Sequence, residues 1–583
     1  MKRIGKIVLA VFLAVLLTAL LGGLLLVLGN RAGVGVARAI VARIPSIRTA
    51  EPSQLLPLDR EEGLNVLYEG EVLELEDPPV FHEGQIHLPY AFVKDYVNDQ
   101  FFYDPDEQVL SYTTYRDVLR MGEGETSYRF NGETRSLESP VVELSPGRLH
   151  LPMDLVETYA DHGMEYKEEL NVLVVENPTE TGTRARIAGW LPGAALRVRD
   201  NHKSAYYRML KRGETVWIHW EEGEWVRITT EEGLAGYVKA GSLGKREEVP
   251  AVPTKLDQPD PEPLKDFDGK LNLTWHQVTT LAANRNVEAA FQNVRGVNVV
   301  SPTWFEIADE AGTVKSIADP SYVEWAHARG MQVWALFSNA FNSSRTHEVL
   351  KSTAKREFVV EQILEYVRRY GLDGINIDFE SVAVADGPYY VQFVKELAIP
   401  LRKEGVVVSV DMYVPSPWSV HYGREEIGKY IDYLIIMGYD EHYSGSEKSG
   451  SVASIGFVDK GVRETLLEVP KEKVVLGVPF YARLWKETGE GEAMTRSSQA
   501  LGMNAIQTIL GQRGVVPFWD EETGQYYAEY QAEGATYKIW VEDLRSLEEK
   551  MKLVQAYGLA GAASWKLGLE NRGVWDVLSQ YLE

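Results

Sequence analysis

The 583-residue chain contains no cysteine, which excludes disulfides, thiolate metal sites and a cysteine nucleophile. Histidine is scarce, at 11 residues, and shows neither an HExxH motif nor a paired-ligand spacing. No metal site and no cofactor are expected. Basic residues are outnumbered, 60 against 85 acidic, giving a formal net charge of −25. Such a chain does not neutralise phosphate, so no nucleic acid partner is expected, nor adhesion to anionic polymers. The N-terminus lacks the short apolar core and A-x-A-like exit of a cleaved signal peptide. Ile7 to Leu28 is instead apolar apart from Thr18 and small residues, long enough to span a bilayer. Lys2, Arg3 and Lys6 precede it, while Arg31, Arg38, Arg43 and Arg48 follow and weaken the positive-inside bias. The expectation is a transmembrane signal anchor, with the protein single-pass at the cell membrane and its catalytic part extracytoplasmic. Secretion after cleavage is the alternative.

What is present fits several domains, with 45% hydrophobic and 10% aromatic residues over a length too great for one core. Gly84-Gln-Ile-His-Leu-Pro89 recurs as Gly147-Arg-Leu-His-Leu-Pro152, an offset of 63 residues. The offset also matches Tyr96 with Tyr159, Tyr103 with Tyr166 and Val109-Leu110 with Val172-Leu173. This is an internal duplication, each copy reading as a strand, a helix after the proline and a hairpin. It resembles the copper amine oxidase N-terminal-like repeats of exported bacterial proteins. His87 and His150 recur with it and are read as structural. Trp225 to Val238, two alternating runs around a Glu-Glu-Gly turn ending in Gly-Tyr-Val, resembles the closing hairpin of a bacterial SH3-type barrel. Trp190, Trp217 and Trp220 are read as core or rim aromatics. Val249 to Asp268, with five prolines, reads as a stiff exposed linker. The expected domains are 1–50 cytoplasmic tip, anchor and juxtamembrane segment, 51–180 duplicated module, 181–245 SH3-type domain, 246–269 linker and 270–583 catalytic barrel.

Beyond the linker, strand-like runs alternate with helical patterns: Leu271–Val278, Gly296–Pro302, Gln332–Asn339, Gly371–Glu380, Val406–Val414, Tyr433–Asp440, Val474–Tyr481 and Gly561–Leu567. Helical segments such as Arg356–Arg369 and Leu544–Tyr557 lie between them. Alternation of this kind implies an α/β fold with a parallel sheet, and eight units imply a (β/α)8 TIM barrel whose chemistry sits at the strands' C-terminal ends. Phe518 to Trp540 suggests a small insertion before the eighth strand. In Gly371–Glu380, Asn376, Asp378 and Glu380 alternate with Ile375, Ile377 and Phe379, so the three polar groups share one face of a strand. Burying two carboxylates is costly unless they are paired or used.

Asp373-Gly-Ile-Asn-Ile-Asp-Phe-Glu380 resembles the DxxDxDxE signature of glycoside hydrolase family 18. Met437-Gly438-Tyr439-Asp440 matches that family's M-x-Y-D motif, and Ala563-Ser564-Trp565 its late tryptophan. Ser301 to Phe305 and Leu476 to Tyr481 further resemble the spore and cell-wall branch. The resemblance implies a retaining hydrolase of β-1,4-linked N-acetylglucosamine glycans, peptidoglycan or chitin-like, in which the substrate's acetamido oxygen is the nucleophile. It implies Glu380 as acid and then base, Asp378 as the orienter of the acetamido N–H, and Tyr439 as hydrogen-bond partner of its carbonyl. Asp440, Trp565, Asn376, Met437 and Tyr481 are the expected substrate-binding residues, with Trp565 as apolar floor. Asn376 stands where the family often has an acid, and an amide cannot share a proton with Asp378. Asp373 reads as a turn or capping residue. Arg483 and Trp540, like Tyr481, fit either a cleft wall or ordinary packing. The competing readings are a non-hydrolytic lectin on the same barrel, which the retained Glu380 disfavours, and a wall-binding scaffold.

Overall fold

Each of the eight runs expected as barrel strands is a strand: short stretches of branched and aromatic residues closed by turns. The computed structural model describes residues 45–582 apart from 131–132, 146, 189–192, 266, 490 and 492–493. The strands are β1 (Leu271–His276), β2 (Val299–Ile307), β3 (Gln332–Ser338), β4 (Gly374–Asp378), β5 (Val407–Tyr413), β6 (Tyr433–Met437), β7 (Val474–Pro479) and β8 (Gly561–Trp565). All neighbours pair in parallel, and β1 bonds both β2 and β8, so the sheet closes into a (β/α)8 barrel. Several strand ends differ from expectation, and two of them bear on the site. β4 ends at Asp378 and β6 at Met437, so Glu380 and Asp440 lie on the loops beyond. Ser381 and Asp440 there adopt left-handed φ of 55° and 57°, which turns the chain out of the strand direction.

The barrel interior is a packed core at its N-terminal end. Leu273, Trp275, Trp334, Leu336, Tyr433 and Val475 fill it. Gly374 opens β4 because a Cβ there would meet Trp334 Cδ1 at 2.6 Å. Phe267 adds its ring beneath Trp334 and Tyr433, at 6.2 and 6.5 Å between centroids. The linker is therefore not exposed throughout: apolar contact, with Tyr433 Oη donating to Lys265 O at 2.6 Å, holds its second half against the barrel.

The helix Thr353–Tyr370 begins where Ser352 Oγ accepts the Lys355 N–H and ends at Gly371, whose φ of 66° suits a residue without Cβ. It buries Val359, Ile363 and Val367 against the strands. Asp373 follows and ties the foot of β4 to β3, its Oδ2 accepting the Val333 N–H at 2.9 Å. The insertion is larger than its sequence signal. It runs from Tyr481 to Val541 as a five-stranded antiparallel sheet with the helix Met503–Arg513.

By contact the chain divides into Met1–Asp99 with Leu137–Leu256 and Gln100–Ser136 with Asp257–Glu583. The second unit thus includes a five-stranded sheet from Phe101 to Ser136 packed on the barrel's helices. Asp104 Oδ2 accepts from the N–H and hydroxyl of Thr353, both at 2.8 Å, a favourable place for a carboxylate at a helix start. Arg120 reaches Glu396 at 3.3 Å, and the fully buried Arg356 holds the same carboxylate at 3.0 Å.

In the first unit the duplicated strands Gln85–Pro89 and Arg148–Pro152 pair with each other antiparallel. Leu88 faces Leu151 while His87 and Pro89 face Pro152 and His150, so the two copies are related by a local two-fold axis at the leucine pair. A seven-stranded antiparallel sheet spans Gly182–Val249. Trp220 packs edge-on against Tyr237 within it, whereas Trp217 is partly exposed and Trp190 lies outside the described residues. No helix among the described residues is long and apolar enough to cross a membrane. The expected span Ile7 to Leu28 lies outside them.

Candidate active site

Parallel strands that point alternate residues inward bring the chemistry to one end of the barrel. On β4 the inward set is Gly374, Asn376 and Asp378; on β5 it is Ser409, Asp411 and Tyr413, in the register Asn376↔Ser409 and Ile377↔Val410. Tyr413 lies opposite Met437 on β6, and Trp565 closes β8.

Glu380 is held at three points. Tyr413 Oη donates to its Oε2 at 2.6 Å. Asn339, at the end of β3, accepts the Glu380 N–H at 3.1 Å and donates through Nδ2 to its carbonyl at 2.6 Å. Burial drives the Glu380 carboxyl above its ordinary range, the Tyr413 hydrogen bond pulls it back, and Asp440 adds to the rise. Asp378 is buried, and burial followed by the Glu380 charge pushes it up to about 8. No cation offsets either group.

The other expected residues gather around this pair, with one correction. Tyr439 is deprotonated only with difficulty, through burial and then the charges of Asp411 and Asp378. Asp440 accepts from Tyr481 Oη at 2.6 Å, and Tyr439 and Tyr481 meet edge-to-face. Met437 is buried at the end of β6. Trp565 contacts Trp275 edge-on at 5.8 Å. Asn376, expected to bind substrate, has no capacity left for one. Its Oδ1 accepts from Trp275 Nε1 at 2.8 Å and Ser301 Oγ at 3.2 Å, and its Nδ2 donates to Ser409 Oγ at 3.1 Å and Asp411 Oδ1 at 2.8 Å. It is a buried hub beneath the site. Trp540 packs on Tyr527 at 4.9 Å within the insertion, and Arg483 donates to Ser498 Oγ at 3.0 Å.

Four contributors escaped the reading of the sequence: Asn339, Asp411, Tyr413 and Trp275. Asp411 and Tyr413 carried a usable signal, because Ser409, Asp411 and Tyr413 alternate with Val408, Val410 and Met412 as β4's polar residues do. Asn339 and Trp275 did not, since one acts through main chain and the other through a partner on a distant strand. Among the described residues no group of three His, Asp or Glu side chains is placed to hold a metal ion.

The arrangement offers a proton donor beside a buried second carboxyl in an aromatic-floored mouth, which is chemistry for protonating a leaving oxygen. The glycosyl hydrolases family 18 matches residues 286–570. YdhD of Bacillus subtilis (strain 168), named there as a candidate sporulation-specific glycosylase, is 28% identical over 273 residues, 46% of this chain and 64% of that protein. The cortical fragment-lytic enzyme of the same organism is 28% identical over 257 residues, 43% of this chain and 59% of its own length. The chain therefore spans about three fifths of the length of these two relatives. The C-terminal domain of a candidate chitinase from Desulfitobacterium hafniense DCB-2 shares the fold, with a TM-score of 0.50 and 24% identity over 54% of this chain and 100% of that one. The family match over residues 286–570 and the carboxyls at and just beyond the end of β4 make the barrel a glycosidase domain similar to glycosyl hydrolases family 18.

Proposed function

We propose that the chain cleaves β-1,4-linked N-acetylglucosamine glycans, peptidoglycan or chitin-like, with retention and with the substrate's acetamido group as nucleophile. The observation that carries this reading is the pair of a buried Asp378 and a half-buried Glu380, both raised, with no cation beside them among the described residues. A raised Glu380 keeps its proton near neutral pH and delivers it to the leaving oxygen. Asp378 accepts the acetamido N–H, Tyr439 donates to the acetamido carbonyl, and the carbonyl oxygen attacks the anomeric carbon from the same molecule. Glu380, now ionised, takes a proton from the incoming water. Trp565 floors the ring, and Asp440, fixed by Tyr481, binds a sugar hydroxyl.

Mass spectrometry of products from purified peptidoglycan and from chitin oligomers, side by side, identifies glycan and bond together. Glu380→Gln should lower release by roughly 100–10,000-fold. Unchanged release would sink the assignment, cleavage of a glycan without 2-acetamido groups would rule out substrate assistance, and binding without products would favour the lectin.

The antiparallel pairing of Trp225–Thr230 with Ala235–Lys239 supports an SH3-type reading of 181–245, and the paired repeats support a copper amine oxidase N-terminal-like module; we assign both to positioning the barrel at the wall. The apolar run Ile7 to Leu28 supports anchoring at the cell surface. Release of the protein from membranes by a salt wash would count against an anchor.

A further inference from the structure

Asp411 is a further carboxyl of the site beside Asp378, Glu380 and Asp440, and none of the motifs that carry the family resemblance includes it. The β4–β5 register, carried one residue beyond Ile377↔Val410, sets Asp411 opposite Asp378 on strands about 4.8 Å apart, both facing inward. Asp411 is 3% exposed, and its Oδ1 accepts from Asn376 Nδ2 at 2.8 Å. The amide that cannot share a proton with Asp378 thus holds in place an acid that can.

The groups facing Asp411 are Ser409 and Tyr413 on its own strand and Asn376, Asp378 and Glu380 from β4 and its loop. Tyr439, from the end of β6, and Tyr390, from the helix Gly387–Lys403, complete them. Tyr390 is fully buried, with a hydroxyl that has no hydrogen-bond partner. None of these groups is a cation. Two buried carboxyls and a half-buried third without a cation beside them do not all ionise readily, and neighbouring carboxyls in that position share protons. Glu380 keeps one proton as the acid. The Asp378–Asp411 pair keeps another, and Asp411 is driven well above the carboxylate range by burial and then by Asp378.

We propose that Asp411 is a positioning residue that takes over the proton sharing Asn376 cannot perform: neutral while the enzyme works, it donates its carboxyl hydrogen to Asp378 and leaves Asp378 the one anion among Asp378, Glu380 and Asp411. The inference rests on the glycosidase reading above. Its consequence is that Asp378 is ready to receive the acetamido N–H before substrate arrives, because a hydrogen bond to the ionised form favours that form.

The test compares three full-length variants by kcat–pH profile. Asp411→Asn, whose amide N–H replaces the carboxyl hydrogen, should keep kcat within about fivefold and leave both limbs in place. Asp411→Ala removes the donor, so the acid limb should move up by about one pH unit, with kcat down roughly 10–100-fold and KM nearly unchanged. Asn376→Asp in the Asp411→Ala background returns an acid to the neighbourhood and should recover about tenfold of that loss. A uniform loss in Asp411→Ala without movement of the limb, or limbs shifted down in Asp411→Asn as removal of an anion would shift them, overturns the proposal. An infrared difference spectrum at neutral pH between the wild type and Asp411→Asn decides it without substrate. Loss of a protonated-carboxyl band supports it and loss of carboxylate bands refutes it. Failure of the wild type to cleave any glycan would defeat the glycosidase reading alone, with the spectrum still deciding the state of Asp411.

Discussion

Tyr413 and Asp440 act on Glu380 in opposite directions, and the effect of Tyr413 is measurable. The Tyr413 hydroxyl favours the ionised Glu380, so Tyr413→Phe should raise the Glu380 pKa. Activity lost as Glu380 deprotonates would then persist to higher pH, moving the alkaline limb of kcat up by about one unit. Asp378 carries a stability cost as well as a role. Folded, burial raises the Asp378–Asp411 pair, with Asp378 pushed up to about 8 against an ordinary 3.8, so that the pair keeps a proton the unfolded chain has already released. The folded state therefore binds the extra proton in this window, and stability falls as pH rises between those values. Asp378→Asn removes the penalty and should raise the melting temperature at pH 8 while abolishing turnover, as a functional site bought at the expense of stability would. A lower melting temperature at pH 8 would contradict the burial argument. At this scale the sequence was readable wherever polar residues alternate along a strand. Asn376 reads from the sequence both as a supporting group and as a substrate contact, because an inward amide looks the same in either role; its four buried partners favour the first.

The end of β3 holds Glu380 by its main chain. Asn339 clamps both main-chain groups of Glu380, and a third hydrogen bond, from its Nδ2 to Thr346 Oγ1 at 2.8 Å, fixes the clamp itself. Asn339→Ala should lower kcat by roughly 10–100-fold with little change in KM, because it displaces the acid rather than the binding groups. Steady-state kinetics on chitin oligomers would check this, and a change confined to KM would refute it. Strands and helices were legible because their periods are strong. Leu544–Tyr557 is the helix that its pattern indicated, and all eight barrel runs are strands. Strand ends were not, since Glu380 and Asp440 continue the alternation past the last ladder bond. The insertion was under-read because Tyr481 to Thr488, its first strand, follows β7 after only Phe480 and looks like its continuation.

For the molecule as a whole, the sheet Phe101–Ser136 belongs with the barrel, which no local pattern could announce. Aromatic contacts such as Phe102 on Tyr389 and Tyr115 on Tyr430 hold it, and part of its anchor is electrostatic. Burial opposes ionisation of Glu396, but Arg356 and Arg120 outweigh it and hold the carboxyl below its ordinary 4.5. Arg120→Ala leaves Arg356 in place, so the expected loss is about 1–3 kcal/mol at pH 7, less than for a fully orphaned buried charge. Glu396 has a lowered folded pKa, so its stabilisation is full above 4.5 and fades as pH falls through the lower value. Denaturant titrations should show the gap between the variant and wild type narrowing below pH 4.5, and a gap independent of pH would disprove the linkage. The duplication, by contrast, was plain in the sequence, yet its axis was not. Because Leu88 meets Leu151 across a two-fold, the edge that joins the copies matches itself, and one copy alone would carry the complete instruction for pairing with another. Joined in one chain, the halves no longer have to stay alike. Both histidines meet the carbonyl two residues back, but His87 also rests on Pro140 and Ser139, while His150 Nε2 lies 3.5 Å from Asp77. The first hairpin has gained three strands and joined the barrel's unit, and the second lies beside Asn65–Tyr68. Symmetry survives in the backbone at the seam, and specialisation has proceeded outward from it.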